Sequence, residues 1–154
     1  MFEECRLEGE VILSSGRKSS VFYDLDLLQP QETAAYAERL FREIPAELLK
    51  EIDFVASPAL GGVIPGWVIA FAAKKPFVYM DKEGKLRGPE FKMGKYLIVD
   101  DVITSFQAAN KVVAACGPDC VPVAAAAFIF RGSRQDLDKQ DYPAFYLARK
   151  EQEV

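Results

Sequence analysis

With 154 residues, 50% of them hydrophobic and 27% charged, the chain has the size and balance of one globular domain. Its net charge of −4 argues mildly against a nucleic-acid surface, and no apolar run reaches the ~18 residues that a membrane span needs. The absence of histidine excludes Ser-His-Asp and Cys-His mechanisms and leaves proton transfer to carboxylates, lysines, tyrosines, water or substrate.

From the N-terminus, Met1-Phe2-Glu3-Glu4 offers no apolar signal core. Residues 10–14 and 20–24 read as two short strands joined by the polar turn Ser15-Gly16-Arg17-Lys18-Ser19. Pro30 precedes an amphipathic helix over 31–44, with Ala37, Leu40, Phe41 and Ile44 at core spacing. A buried strand over 53–56 ends at Ser57-Pro58-Ala59-Leu60-Gly61-Gly62. The helix that follows over 63–73 is apolar nearly all round, so burial on most faces is expected. Residues 76–80 form another strand, and the polar, glycine-bearing stretch 81–95 a hairpin or mobile loop. The apolar, β-branched run at 96–99 stops on Asp100 and Asp101, with Thr104 and Ser105 just beyond. A helix over 108–116, a strand over 121–130 and a last strand over 142–147 complete the pattern.

Strands alternating with helices predict an α/β fold, a parallel sheet flanked by helices. One domain spanning 1–154 is expected, with residues 1–28 as a small N-terminal β flap and 29–148 as the core. In such sheets ligands bind beyond the carboxyl ends of the strands. Four segments then converge there. Asp100 and Asp101 need cations or hydroxyls to answer their desolvation, unless they are a plain acidic turn capped by Thr104 or Ser105. The glycines of the 57–62 loop let backbone N–H groups approach an anion. Basic residues at 82–87 form a solvated hairpin or clamp a phosphate. Arg131 stacks on a planar anion or pairs at the surface. Cys5, Cys116 and Cys120 make no metal-like constellation; reduced thiols in a cytoplasmic protein are expected, and no metal held by protein side chains.

The set resembles the type I phosphoribosyltransferases, and within them the orotate branch. The resemblance is carried by Leu97-Ile98-Val99-Asp100-Asp101-Val102-Ile103-Thr104, by Ser15 to Ser19 followed by Phe22-Tyr23, by Ala56 to Val63, and by Arg131. It implies transfer of a 5-phosphoribosyl group from phosphoribosyl pyrophosphate (PRPP) to orotate, with Mg²⁺ bound through PRPP, in a homodimer. By the same resemblance Asp100 and Asp101 bind the ribose hydroxyls. Residues Thr104, Ser105, Phe106, Gln107 and Ala108 cradle the 5-phosphate. Ala59, Leu60, Gly61 and Gly62 hold the pyrophosphate. Lys18, Phe22, Tyr23 and Arg131 grip the base, while Lys82, Lys85 and Arg87 close over the pyrophosphate, in a partner's site. The chain departs from the family at Phe106, where glycine is usual. A bulky residue at positive φ is strained, so a weaker or differently shaped phosphate site is expected. Asp81 brings a carboxylate near the expected pyrophosphate. A non-catalytic relative that binds a base or nucleotide, and a transferase for another base, stay open as alternatives.

Overall fold

The computed structural model describes residues 1–13 and 15–150. Strands β1 (Arg6–Ile12) and β2 (Lys18–Tyr23) form an antiparallel hairpin of their own. The sequence reading placed the first strand at 10–14; it begins earlier, and Ser14 lies outside the described residues. Next come α1 (Pro30–Glu43), α2 (Ala46–Glu51), β3 (Phe54–Pro58), α3 (Val63–Ala73), β4 (Phe77–Met80) and β5 (Leu86–Arg87). The chain continues through β6 (Gly94–Ile103), α4 (Gln107–Cys116), β7 (Cys120–Phe130), α5 (Arg134–Asp138) and β8 (Ala144–Arg149). The six-stranded sheet has the order β5-β4-β3-β6-β7-β8, parallel except for the β4–β5 hairpin. Among the described residues no helix is long and apolar enough to cross a membrane.

Period-two alternation along the central strands builds a core on each face of the sheet. Leu97 and Val99 of β6 pack with Leu40, Ile69 and Phe128 under α1 and α3; Tyr96 and Ile98 pack with Val112 and Phe130 under α4. The N-terminus joins the first core, where Phe2 is buried against Tyr36 and Phe128. Pro30 suits the first turn of α1, and the Gln29 amide is satisfied by Glu32 Oε1 at 2.9 Å.

Two expectations need correction. First, α3 is not buried on most faces: Ile64, Trp67 and Phe71 are 63%, 57% and 73% exposed along one side. Composition could not show this, because an all-apolar helix has the same pattern whether or not a neighbour covers it. Second, β6 does not stop at the acids but runs through them to Ile103, because β7 goes on pairing as far as Phe130. Of the two forms expected for 81–95, the structure has the hairpin: β4 and β5 pair antiparallel around a tight turn at 81–85. The Asp81 amide donates to Lys85 O at 2.8 Å, and Asp81 Oδ1 accepts from the Glu83 and Lys85 amides at 3.0 and 2.9 Å. The Asp81 carboxylate is thereby occupied in capping its own turn. The short helices α2 and α5 fell below the length at which helical periodicity shows.

Candidate active site

Strand β3 pairs with β6 only as far as Ile98, whereas β7 follows β6 to Ile103. Beyond Ile98 the β3-facing edge of β6 therefore has no strand beside it, and the 58–62 loop fills that side. Two glycines make the approach possible. A Cβ on Gly61 would fall on the Asp101 carboxylate, and one on Gly62 would stand 2.8 Å from Val99 O and 3.1 Å from Asp100 Oδ1. The loop is tied to β4 by the Ala59 amide, which donates to Met80 O at 2.9 Å; its Ala59–Leu60 peptide is cis. Gly62 then opens α3.

Asp100 Oδ1 accepts from the Asp101 amide at 2.8 Å, and Asp101 Oδ1 from the Val102 amide at 2.7 Å. Burial, and then the neighbouring Asp101 carboxylate, push the Asp100 carboxyl well above its usual range. Two adjacent acids, one whose charged form is disfavoured by burial and by its neighbour, suit a ligand that brings hydroxyl donors or a cation.

Thr104 is buried and Ser105 half-buried at the turn into α4. Phe106 has φ 66° and ψ 16°, the left-handed conformation its place in the turn demands. Its ring leaves the loop and enters the core, 6.1 Å from the Phe130 ring and 6.3 Å from that of Tyr142. A hollow of about 10 Å³ remains among Thr104, Ser105, Phe106, Gln107 and Ala108.

The flap completes a cleft of about 360 Å³ that also takes in Phe22, Tyr23, Ala59, Leu60, Gly61, Asp100, Asp101, Thr104, Ala108 and Arg131. Arg131 is 2% exposed. Its guanidinium donates to Val21 O at 2.8 Å, to Ser19 Oγ at 3.3 Å and to Lys150 O at 3.4 Å, and lies 5.1 Å over the Tyr23 ring. A second cleft of about 590 Å³ shares Pro58, Ala59 and Ala108 with the first and adds Lys82, Gln107 and Lys111. Of the sequence-derived candidates, Lys18, Gly62, Lys85, Arg87, Ser105 and Phe106 line neither cleft, the last two lining only the small hollow at the turn into α4.

Three further residues escaped sequence reading. Asp24 follows the aromatic pair and caps a short 3-10 turn, its Oδ1 accepting from the Asp26 amide at 3.1 Å; it lines the first cleft. Lys111 is a lone cation on a helix face and carries no signal. Asp136 meets Arg17 across 119 residues of chain, with donor distances of 2.9 and 2.8 Å. Its only local sign is Ser133 three residues before it, a helix-capping pattern.

No protein-family profile matches the chain. Curated relatives do. The orotate phosphoribosyltransferase of Sphingopyxis alaskensis is 35% identical over 147 residues, 89% of this chain and 75% of its own. That of Parvibaculum lavamentivorans is 36% identical over 128 residues, 79% of this chain and 66% of its own. The chain thus spans about two thirds to three quarters of these relatives' length. Among solved structures, orotate phosphoribosyltransferase from Aeropyrum pernix superposes with a TM-score of 0.81 at 23% identity, covering 95% of this chain and 89% of that one.

Proposed function

The chain belongs to the orotate phosphoribosyltransferase family, and from that membership we propose that it transfers the 5-phosphoribosyl group of PRPP to orotate, forming orotidine 5-phosphate and pyrophosphate. The observation that carries the reading is the shared cleft. Paired carboxylates on β6, a glycine loop pressed against them, the turn into α4 and the flap aromatics all face one space.

In this reading a ring nitrogen of orotate attacks C1 of the ribose as the C1–oxygen bond to pyrophosphate breaks, and the proton of that nitrogen passes to the departing pyrophosphate or to water. Positive charge develops on the ribose and negative charge on the leaving group. Asp100 and Asp101 accept hydrogen bonds from the ribose hydroxyls and favour the cationic sugar. Backbone amides of 104–108 hold the 5-phosphate at the start of α4, where the helix dipole favours an anion. The loop at 59–62 receives the pyrophosphate, and Lys82 and Lys111 stand beside it in the second cleft. Phe22 and Tyr23 cover the planar base, with Arg131 stacked behind Tyr23. Mg²⁺ carried in on PRPP supplies positive charge to the leaving group. The adjacent carboxylates of Asp100 and Asp101 are the oxygen donors such an ion's waters would meet.

A homodimer belongs to the same proposal. Leu60, Ile64, Trp67 and Phe71 recur at three- and four-residue spacing and are 57–73% exposed, with the Trp67 and Phe71 rings stacked 5.7 Å apart. A second copy covering this stripe removes it from water. The setting we assign is cytoplasmic, in keeping with three free cysteines.

One feature favours a second reading, ligand binding without turnover: the tight 81–85 turn keeps Lys85 and Arg87 out of both clefts. Incubation with PRPP, Mg²⁺ and a series of bases separates the readings. Orotidylate formation from orotate, with no product from uracil or adenine, is the expected result. Orotate binding by calorimetry without product favours the second reading.

A further inference from the structure

We propose that Asp136 is a positioning residue for the base, acting through Arg17 to hold the flap over the pocket end where orotate binds; the inference rests on the transferase reading above. Asp136 lies on α5, and its side chain is 4% exposed. A carboxylate so buried must be answered by donors. Here the Ser133 amide and hydroxyl supply donors at 2.7 and 2.9 Å. The other two come from Arg17, in the turn of the flap, as parallel N–H bonds of 2.9 and 2.8 Å. A bidentate fork fixes the orientation of the guanidinium as well as its distance.

The backbone of Arg17 is itself part of the flap, because its carbonyl accepts from the Leu13 amide at 2.8 Å. Arg131 crosses the same seam in the opposite sense, from the core to Val21 O and Ser19 Oγ. The first crossing lands just before β2 and the second on it, and β2 is the strand that carries Phe22 and Tyr23. Neither Arg17 nor Asp136 lines the cleft, so whatever they do to a ligand goes through the flap. The residues assigned to PRPP stand on β6, the turn into α4, α4 itself, the 58–62 loop and the 81–85 turn, none of them on the flap. The latch therefore acts on one substrate and not the other.

The test uses Asp136→Asn, Arg17→Gln and the double variant in the full chain. Each single change is expected to raise KM for orotate about tenfold while KM for PRPP and kcat stay within about twofold, the pattern of lost ground-state binding. The double variant should resemble either single one, because both remove the same contact. In the ligand-free protein, amides of 18–23 should exchange faster in Asp136→Asn, with β6 and β7 unchanged. Unaltered orotate KM, equal losses for both substrates, or unchanged flap exchange overturns the inference. If the wild type gives no product, calorimetric orotate affinity replaces KM in the same comparison. Latch-dependent binding then contradicts only the transfer reading, latch-independent binding contradicts this inference as well, and a wild type that binds no orotate overturns both.

Discussion

The ring of Phe106 meets that of Tyr142 edge-on, 6.3 Å apart at 70°. This contact decides what a phenylalanine does in a turn whose φ of 66° suits glycine. The left-handed backbone costs roughly 1–2 kcal/mol, and burying the ring recovers more, since truncating a buried aromatic costs roughly 3–5 kcal/mol. Phe106→Gly should therefore lower stability by about 1–4 kcal/mol net in denaturant unfolding. It should also weaken PRPP binding, because the ring anchors the turn that holds the phosphate. Tighter PRPP binding in that variant would show that the ring obstructs the site.

Acid should loosen the flap's anchor. Arg17, then the Ser133 amide and hydroxyl, hold the Asp136 carboxyl well below the usual range. A depressed folded-state value means that the unfolded chain takes up the proton first. The stabilisation is complete above the ordinary Asp value of about 3.9 and is lost as pH falls further. Stability measured from pH 6 down to 2 should fall less steeply in Asp136→Asn, which also starts lower at pH 6. Parallel curves would mean that Asp136 does not carry the acid limb.

Asp100 has the opposite sign. Its raised folded-state value means that the native protein holds the proton longer than the unfolded chain, so ligand-free stability declines as pH rises above about 4. Asp100→Asn should stabilise the free protein near neutrality by about 1 kcal/mol, or about 2–4 °C in Tm at this size. The same change should abolish turnover. A lower Tm would contradict the electrostatic account of the pair.

The apolar stripe on α3 gives a fourth prediction. Trp67→Glu places a charge among Ile64 and Phe71 and should yield a monomer in sedimentation equilibrium where the wild type is a dimer. A monomeric wild type would remove the dimer from the proposal.

Much of the fold was legible because the parallel strands are short apolar runs and α1 keeps its 3.6-residue period. The acid pair, the glycine loop and the flap aromatics were legible for a similar reason: each is a contiguous motif whose residue types suit the chemistry. What stayed hidden depends on contacts between distant segments. Nothing local says that Arg17 finds Asp136, that Arg131 turns inward to the flap, or that the Phe106 ring leaves its turn for the core. Exposure of α3 was hidden too, since an apolar helix face has the same composition with or without a partner.

Most direct is the fate of orotate and PRPP mixed with Mg²⁺ and the intact chain, followed by separation of the products. Orotidylate and pyrophosphate should appear in equal amounts, and Asp101→Asn should suppress both. Unchanged substrates with the wild-type chain, at concentrations where calorimetry shows both bound, would contradict the account.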